Sequence, residues 1–301
     1  LLLTGAVVGF LSGLLGIGGA IIMVPLLLYV PPWLGLPALN MKEVAAISIV
    51  QVTFASLAAA VVHWRNGFVS RPLVLTMGLT GATASFAGAY LSRQVHPDTL
   101  LLVFAVVSAL AAGLMLVPRQ EWGEGVAADE VAFNRPLAVA IALAVGLVGG
   151  LVGAPGAFIY VPLFLYVLRI PTRVTLGSTL VIVLLGSVFG LVGKVATAQV
   201  PMVPALALVI GALPGAQVGG QWSKHLPAPL LRGLVAVVVL VSTAKVWAQV
   251  IHTAVFRDLV GAVEVSRIPT AGALALLGLA GLIALAWGVR RCVTSDKGGA
   301  D

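Results

Sequence analysis

The chain has 301 residues, 60% of them hydrophobic and 9% charged, with a mean hydropathy of +1.12. Soluble domains carry about 25% charged residues, so a soluble enzyme or binding module of this composition could not cover its own surface. The net charge of +7 comes from Lys and Arg scattered singly, with Arg290-Arg291 the one adjacent pair. No basic run with interleaved aromatics exists, so nucleic acid is not an expected partner. One cysteine, Cys292, leaves no internal disulfide, and the four histidines lie far apart without metal-ligand spacing. Neither a metal nor another cofactor is expected. The sequence opens on Leu1 rather than Met, and a few leading residues are expected to precede it.

In chain order, apolar segments occupy 1–30, 43–62, 72–91, 99–117, 136–168, 174–193, 202–222, 229–248 and 270–289. Most have the roughly 20 residues that one helical crossing needs. The first and fifth are longer. At about 30 residues they would make straight helices of about 45 Å, against a hydrocarbon core of about 30 Å. Between the fourth and fifth segments, Pro118 to Arg135 holds four of the ten acids, Glu121, Glu124, Asp129 and Glu130, and reads as a solvated linker. Val250 to Pro269 mixes charges with Val, Phe and Leu, as in an amphipathic helix lying at the interface.

The two long segments match each other at an offset of 137. Gly9, Gly13, Gly16 and Gly19 align with Gly146, Gly150, Gly153 and Gly156, and Pro25 with Pro162, within 13 identities over the 22 positions 9–30. Further on the offset reads as 130, setting Ser48 opposite Ser178 and Gly81 opposite Gly211. The expected fold is therefore an all-α integral membrane protein of two homologous helical modules with interrupted or re-entrant first helices, in roughly 7–9 membrane segments. The modules span 1–117 and 136–248, the linker 118–135, and the interfacial segment, final helix and short tail 249–301.

If each long segment crosses once, the 17 Lys and Arg divide nine against eight. If each folds back instead, eleven fall on one side, among them Arg65, Arg71, Arg169 and Arg173, and six on the other, among them Lys42, Arg93, Lys194 and Lys245. The bias of basic residues toward the cytoplasmic face favours the second arrangement, in which the modules are inverted relative to one another.

Duplicated, Gly/Pro-interrupted hydrophobic segments point to a secondary transporter. A helix broken inside the membrane leaves N–H groups and a positive dipole end on its second half, which suit an anion. Such backbone is tolerated only inside protein or beside a cavity. The breaks would be Gly16-Ile-Gly18-Gly19 and Gly153-Ala-Pro155-Gly156. Gly9, Gly13, Gly146 and Gly150 read instead as contacts between helices.

The run Gly9-Phe-Leu-Ser-Gly-Leu-Leu-Gly-Ile-Gly-Gly-Ala-Ile-Ile-Met-Val-Pro25 resembles the glycine-rich signature of the TauE/SafE sulfite exporter family. The second copy, Gly146 to Pro162, is similar but departs from it at Ala154-Pro155. Val44-Ala-Ala-Ile-Ser48, Val174-Thr-Leu-Gly-Ser178-Thr179 and His63-Trp-Arg-Asn-Gly67 resemble the motifs that follow. The resemblance implies an inner (plasma) membrane permease exporting sulfite, or carrying organosulfonates or other small organic anions.

The residues expected to bind substrate are Gly16, Gly18, Gly19, Ser48, Gln51, Gly153, Pro155, Gly156, Ser178 and Thr179. A serine or threonine in a membrane helix can instead bond its own backbone. Gln51 is harder to explain that way, because an amide in lipid needs partners. His63 and Arg65 are expected to gate or carry a proton, or else to anchor the helix end. Gln217 is a weaker pore-lining residue, and Lys194 is expected to snorkel to the interface. Glu43 and Asp98 sit at segment ends and the other acids in loops, leaving none in a segment interior, which disfavours a carboxylate proton relay. A channel would need a continuous polar lining. An intramembrane enzyme would need a dyad or ligand cluster that the sequence does not display. A scaffold would leave the duplicated breaks without a purpose. The apolar surface suits lipid or a second copy in a homodimer.

Overall fold

The computed structural model describes residues 2–33, 38–115, 127–197 and 202–250. These form ten α-helices: α1 Leu2–Leu15, α2 Ala20–Trp33, α3 Met41–Arg65, α4 Arg71–Leu91, α5 Pro97–Met115, α6 Arg135–Val152, α7 Ala157–Tyr166, α8 Thr172–Ala196, α9 Met202–Ser223 and α10 Ala228–Val250. Six of them, α3, α4, α5, α6, α8 and α10, are long and apolar enough to cross a membrane, so the protein is an all-α, multi-pass membrane protein. The proposed interfacial segment and the final apolar segment, 270–289, lie outside the described residues.

Polar residues at the segment breaks start the helices. Asn40 begins α3 with a reciprocal cap: its Oδ1 accepts from the N–H of Lys42 at 2.9 Å and of Glu43 at 3.1 Å, and its own N–H donates to Glu43 Oε2 at 2.9 Å. Asn134 caps α6 through the N–H of Leu137 at 3.1 Å, with Pro136 in the first turn.

Both long segments break where expected. Gly19 and Gly156 each sit at φ 82° just before α2 and α7, in the left-handed region that an L side chain rarely adopts. The chain then folds back. A Cβ placed on Gly19 would lie 3.0 Å from Val8 Cγ1 and 3.3 Å from Ser12 Cβ, whereas a straight helix would carry residue 19 about 10 Å beyond residue 12. Gly156 meets Val145 in the same way.

Helix packing follows the glycines. Along α1, Gly5, Gly9 and Gly13 press on the carbonyls of Leu208, Ala212 and Ala216. In return Gly211, Gly215 and Gly219 of α9 press on those of Leu2, Ala6 and Phe10. Both series ascend together, so α1 and α9 run parallel at backbone contact. The same arrangement joins α6 to α4, where Gly146 meets Gly81 O and Gly150 meets Ser85 O. Lipid offers no hydrophobic drive to helix association, and close approach over small residues supplies dispersion energy in its place. The first helix of each half thus packs on the fourth helix of the other half.

These contacts revise the register. Gly16 abuts Leu176 while Gly153 abuts Ala45, and Gly81 meets Gly146 as Ala212 meets Gly9. The later helices therefore correspond at 131 rather than 130, which sets Ser48 opposite Thr179 and His63 opposite Lys194.

The contacts also separate the two topologies. Arg173 lies 5.5 Å from the centre of the Phe68 ring, and Lys194 Nζ donates to Ser92 Oγ at 2.6 Å. Single crossings would put both pairs on opposite faces; folded-back segments put each on one face. In a background with Cys292 replaced by Ser, Ala196→Cys should label from the same side as Lys42→Cys, and Arg173→Cys from the same side as Arg71→Cys, with membrane-impermeant maleimide. Labelling of either pair from opposite sides would contradict the folded-back topology.

Candidate anion site at the helix breaks

The first break is lined from three elements. Gly19 opens α2, Ser12 stands in the last turn of α1, and Gln51 reaches in from the middle of α3. The Gln51 Nε2 would lie 3.3 Å from a Cβ on Gly19. Gln51, Ser12 and the nearby Ser48 are all fully buried. The side-chain polar atoms of all three lack a hydrogen-bond partner among the described residues. A buried polar group left unpaired costs about 1–3 kcal/mol, and native structures keep few of them. In α2 the first internal bonds run from the Ile22 and Met23 N–H groups to Gly19 O. The N–H groups of Ala20 and Ile21 therefore precede the helix's own ladder, at its positive end.

The second break is built from Pro155, Gly156 and the start of α7, which has no side-chain cap. Pro155 faces Gly186 of α8, whose added Cβ would lie 3.6 Å from Pro155 Cβ and 4.0 Å from Ser85 Oγ. Ser85 of α4 and Thr179 of α8 are fully buried, and their hydroxyls have no partner among the described residues. Helices α3 and α8 cross between the two breaks. Ile49 of α3 and Ser85 Oγ both crowd Gly190, the latter 2.8 Å from its added Cβ.

The residues singled out from the sequence divide into three groups. Gly18, Gly19, Pro155 and Gly156 form the breaks, and Ser48, Gln51 and Thr179 present unpartnered polar atoms. Ser178 is committed elsewhere: its Oγ accepts the Ser70 N–H at 2.9 Å, tying α8 to the start of α4. Gly16 and Gly153 serve close approach to the backbones of Leu176 and Ala45. Thr53, two residues beyond Gln51 on α3, bonds its own helix instead, its hydroxyl donating to Ile49 O at 2.7 Å.

His63 is 1% exposed, and its Nε2 lies 3.1 Å from Gly13 O. A carbonyl only accepts, so Nε2 carries the hydrogen and caps a carbonyl that the end of α1 would otherwise leave open. Arg65 is exposed and lines an apolar groove of about 280 Å³ with Leu57, Trp64 and Leu184. Gln217 is exposed, so it does not line an internal path. Lys194 does not snorkel. It is 0% exposed and is held by Ser92, because its span ends against α4 rather than against lipid.

Ser12 and Ser85 were not singled out from the sequence. Ser12 lies inside the Gly9 to Pro25 motif, one residue before Gly13, and could have been found by asking which side chain faces the break. Ser85 carried no such signal, because its place depends on α4 packing against the other half.

A family model described as sulfite exporter TauE/SafE matches residues 1–246. A probable membrane transporter protein of Xylella fastidiosa (strain 9a5c) is 28% identical over 82% of this chain and 95% of its own length. The probable membrane transporter protein YunE of Bacillus subtilis (strain 168) is 24% identical over 85% of this chain and 98% of its own. A second from that strain, YdhB, is 26% identical over 75% and 91% respectively. No solved structure matches the chain.

If the Gln51 amide serves a ligand rather than the fold, Gln51→Leu removes an unpaired buried group at little packing cost. Its melting temperature in detergent should stay level or rise, reflecting up to about 1–3 kcal/mol. A clear fall would show that the amide supports the fold.

Proposed function

The chain belongs to the sulfite exporter TauE/SafE family, and from that premise we propose that it is a secondary transporter of small sulfur-containing anions such as sulfite or organosulfonates. It is a membrane transporter rather than an enzyme, in keeping with its family and relatives. The observation that carries the anion reading is the set of unpartnered polar atoms of Ser12 and Gln51 gathered at the start of a broken helix, with Ser48 about one turn from Gln51 on α3. Backbone N–H groups, hydroxyl hydrogens and the amide NH2 of Gln51 all donate, which is what sulfite or sulfonate oxygens require. The site is uncharged and depends on the dipole end of α2 for its sign preference. At the second break the unpartnered hydroxyl of Ser85 stands near Pro155. The inner membrane is the location that goes with this activity.

Alternating access in duplicated transporters moves one body against another around a central site. We take the modules 1–117 and 136–248 as the evolutionary units, but not as the moving ones. Rocking one sequence half against the other would have to part α1 from α9 and α4 from α6, which touch at the backbone along their glycines. The bodies that preserve those contacts are α1 with α3 and α9, and α6 with α8 and α4. Their shared boundary is the α3–α8 crossing beside both breaks.

Purified protein in proteoliposomes should carry sulfite, or one of isethionate, taurine and sulfoacetate, in preference to sulfate. Gly19→Ala and Gln51→Leu should each lower that flux by about tenfold or more, the equivalent of about 1.4 kcal/mol. No flux of any of these anions would overturn the sulfur assignment. Wild-type flux in both variants would remove the break as the site.

A further inference from the structure

The groove beside Arg65 is apolar along its length and ends on a cation. Leu57, Val61, Trp64 and Arg65 of α3 form one wall, and Val181 and Leu184 of α8 the other, around about 280 Å³. Steps of three and four residues place the α3 side chains on one face of that helix. Leu57, Val61 and Trp64 are 44%, 45% and 48% exposed, so this face is open rather than packed.

The groove has the depth of one leaflet. Leu57 lies about 12 Å from Arg65 along α3, and Val181 and Leu184 lie about 12 and 17 Å from Arg173 along α8, at the same face. Half of a hydrocarbon core is about 15 Å. The rim supplies what a lipid headgroup needs. Arg65 is exposed, and its guanidinium makes no hydrogen bond or ion pair among the described residues. By contrast Arg71 is paired with Asp129, and Arg173 donates to Leu226 O at 3.4 Å. Trp64 stands beside Arg65 with the Arg71 guanidinium 5.9 Å from its ring centre, a placement typical of the aromatic belt at headgroup level.

We propose that the groove seats one acyl chain of an anionic phospholipid from the Arg65-face leaflet, with the lipid phosphate on the Arg65 guanidinium. Guanidinium and phosphate pair through two parallel N–H···O bonds. Eleven of the basic residues gather at this face in the folded-back topology, and basic sites between spanning helices favour anionic headgroups. The two walls fall in different bodies in the alternating-access reading above, so a seated lipid touches both sides of the moving boundary. Binding itself needs only the membrane-spanning fold, and its test reads no flux.

The full chain in detergent is titrated with phosphatidylglycerol and with phosphatidylcholine of identical acyl chains, and bound lipid is read by native mass spectrometry. Wild type should hold phosphatidylglycerol about tenfold more tightly, because choline offsets the phosphate charge of the other lipid, and Arg65→Gln should bring the two within about twofold. Val61→Trp fills the groove from an exposed position and should weaken both lipids about tenfold. Val61→benzoylphenylalanine, photoactivated in vesicles of equal phosphatidylglycerol and phosphatidylcholine, identifies the occupant, and phosphatidylglycerol adducts should dominate. Equal affinity for the two lipids, an undiminished preference in Arg65→Gln, or unchanged binding in Val61→Trp would each overturn the site. So would adducts to residues 270–289 or to a second copy of the chain in place of lipid.

Discussion

Inside a bilayer every backbone polar group must find its partner within the protein, and this chain breaks two helices in the interior of the fold. That choice governs the rest of the molecule. Each break needs residues that can turn at positive φ, hence Gly19 and Gly156. Each also needs walls of protein rather than lipid, because unpaired N–H groups cannot face hydrocarbon. The exchange of α4 and α9 between the halves supplies those walls. Around the walls so formed, Ser12 and Gln51 crowd Gly19, and Ser85 stands with Pro155 against Gly186.

Low charge and the site chemistry have a common origin. Glu43 and Asp98 sit in the first turns of α3 and α5 and no acid lies further inside a described span, and the described ion pairs, Arg71–Asp129 and His96–Asp98, lie outside the span interiors. The breaks therefore present uncharged polar groups and helix dipoles, while Lys194 is buried nearer a span end. Burying that lysine at the centre would be costly. At the end of α8, where Lys194 Nζ donates to Ser92 Oγ, the cost is smaller.

Much of this could be read from the sequence. The excess length of segments 1–30 and 136–168 with their matched glycines located both breaks, and the distribution of basic residues favoured folded-back segments before Arg173 was seen beside Phe68. Gln51 stood out because an amide has few uses in lipid. What escaped was whatever depended on helices far apart in sequence. The one-residue error in register paired Ser48 with Ser178, because two adjacent hydroxyl residues at 178 and 179 fit either offset. Ser85 looked like an ordinary small residue of α4 until α8 and the second break closed around it. Lys194 was misjudged because a lysine at a span end usually faces water, and the partner that buries it, Ser92, lies 102 positions away.

The most direct measurement is the position of a bound anion. Selenite, the heavier analogue of sulfite, scatters anomalously and can be located in crystals of the loaded protein. The account predicts a selenium peak within hydrogen-bond reach of Gln51 Nε2 and the N–H groups opening α2, or of the equivalent groups opening α7. Selenium found only beside exposed arginines or lysines, with both breaks empty at saturating selenite, would contradict it.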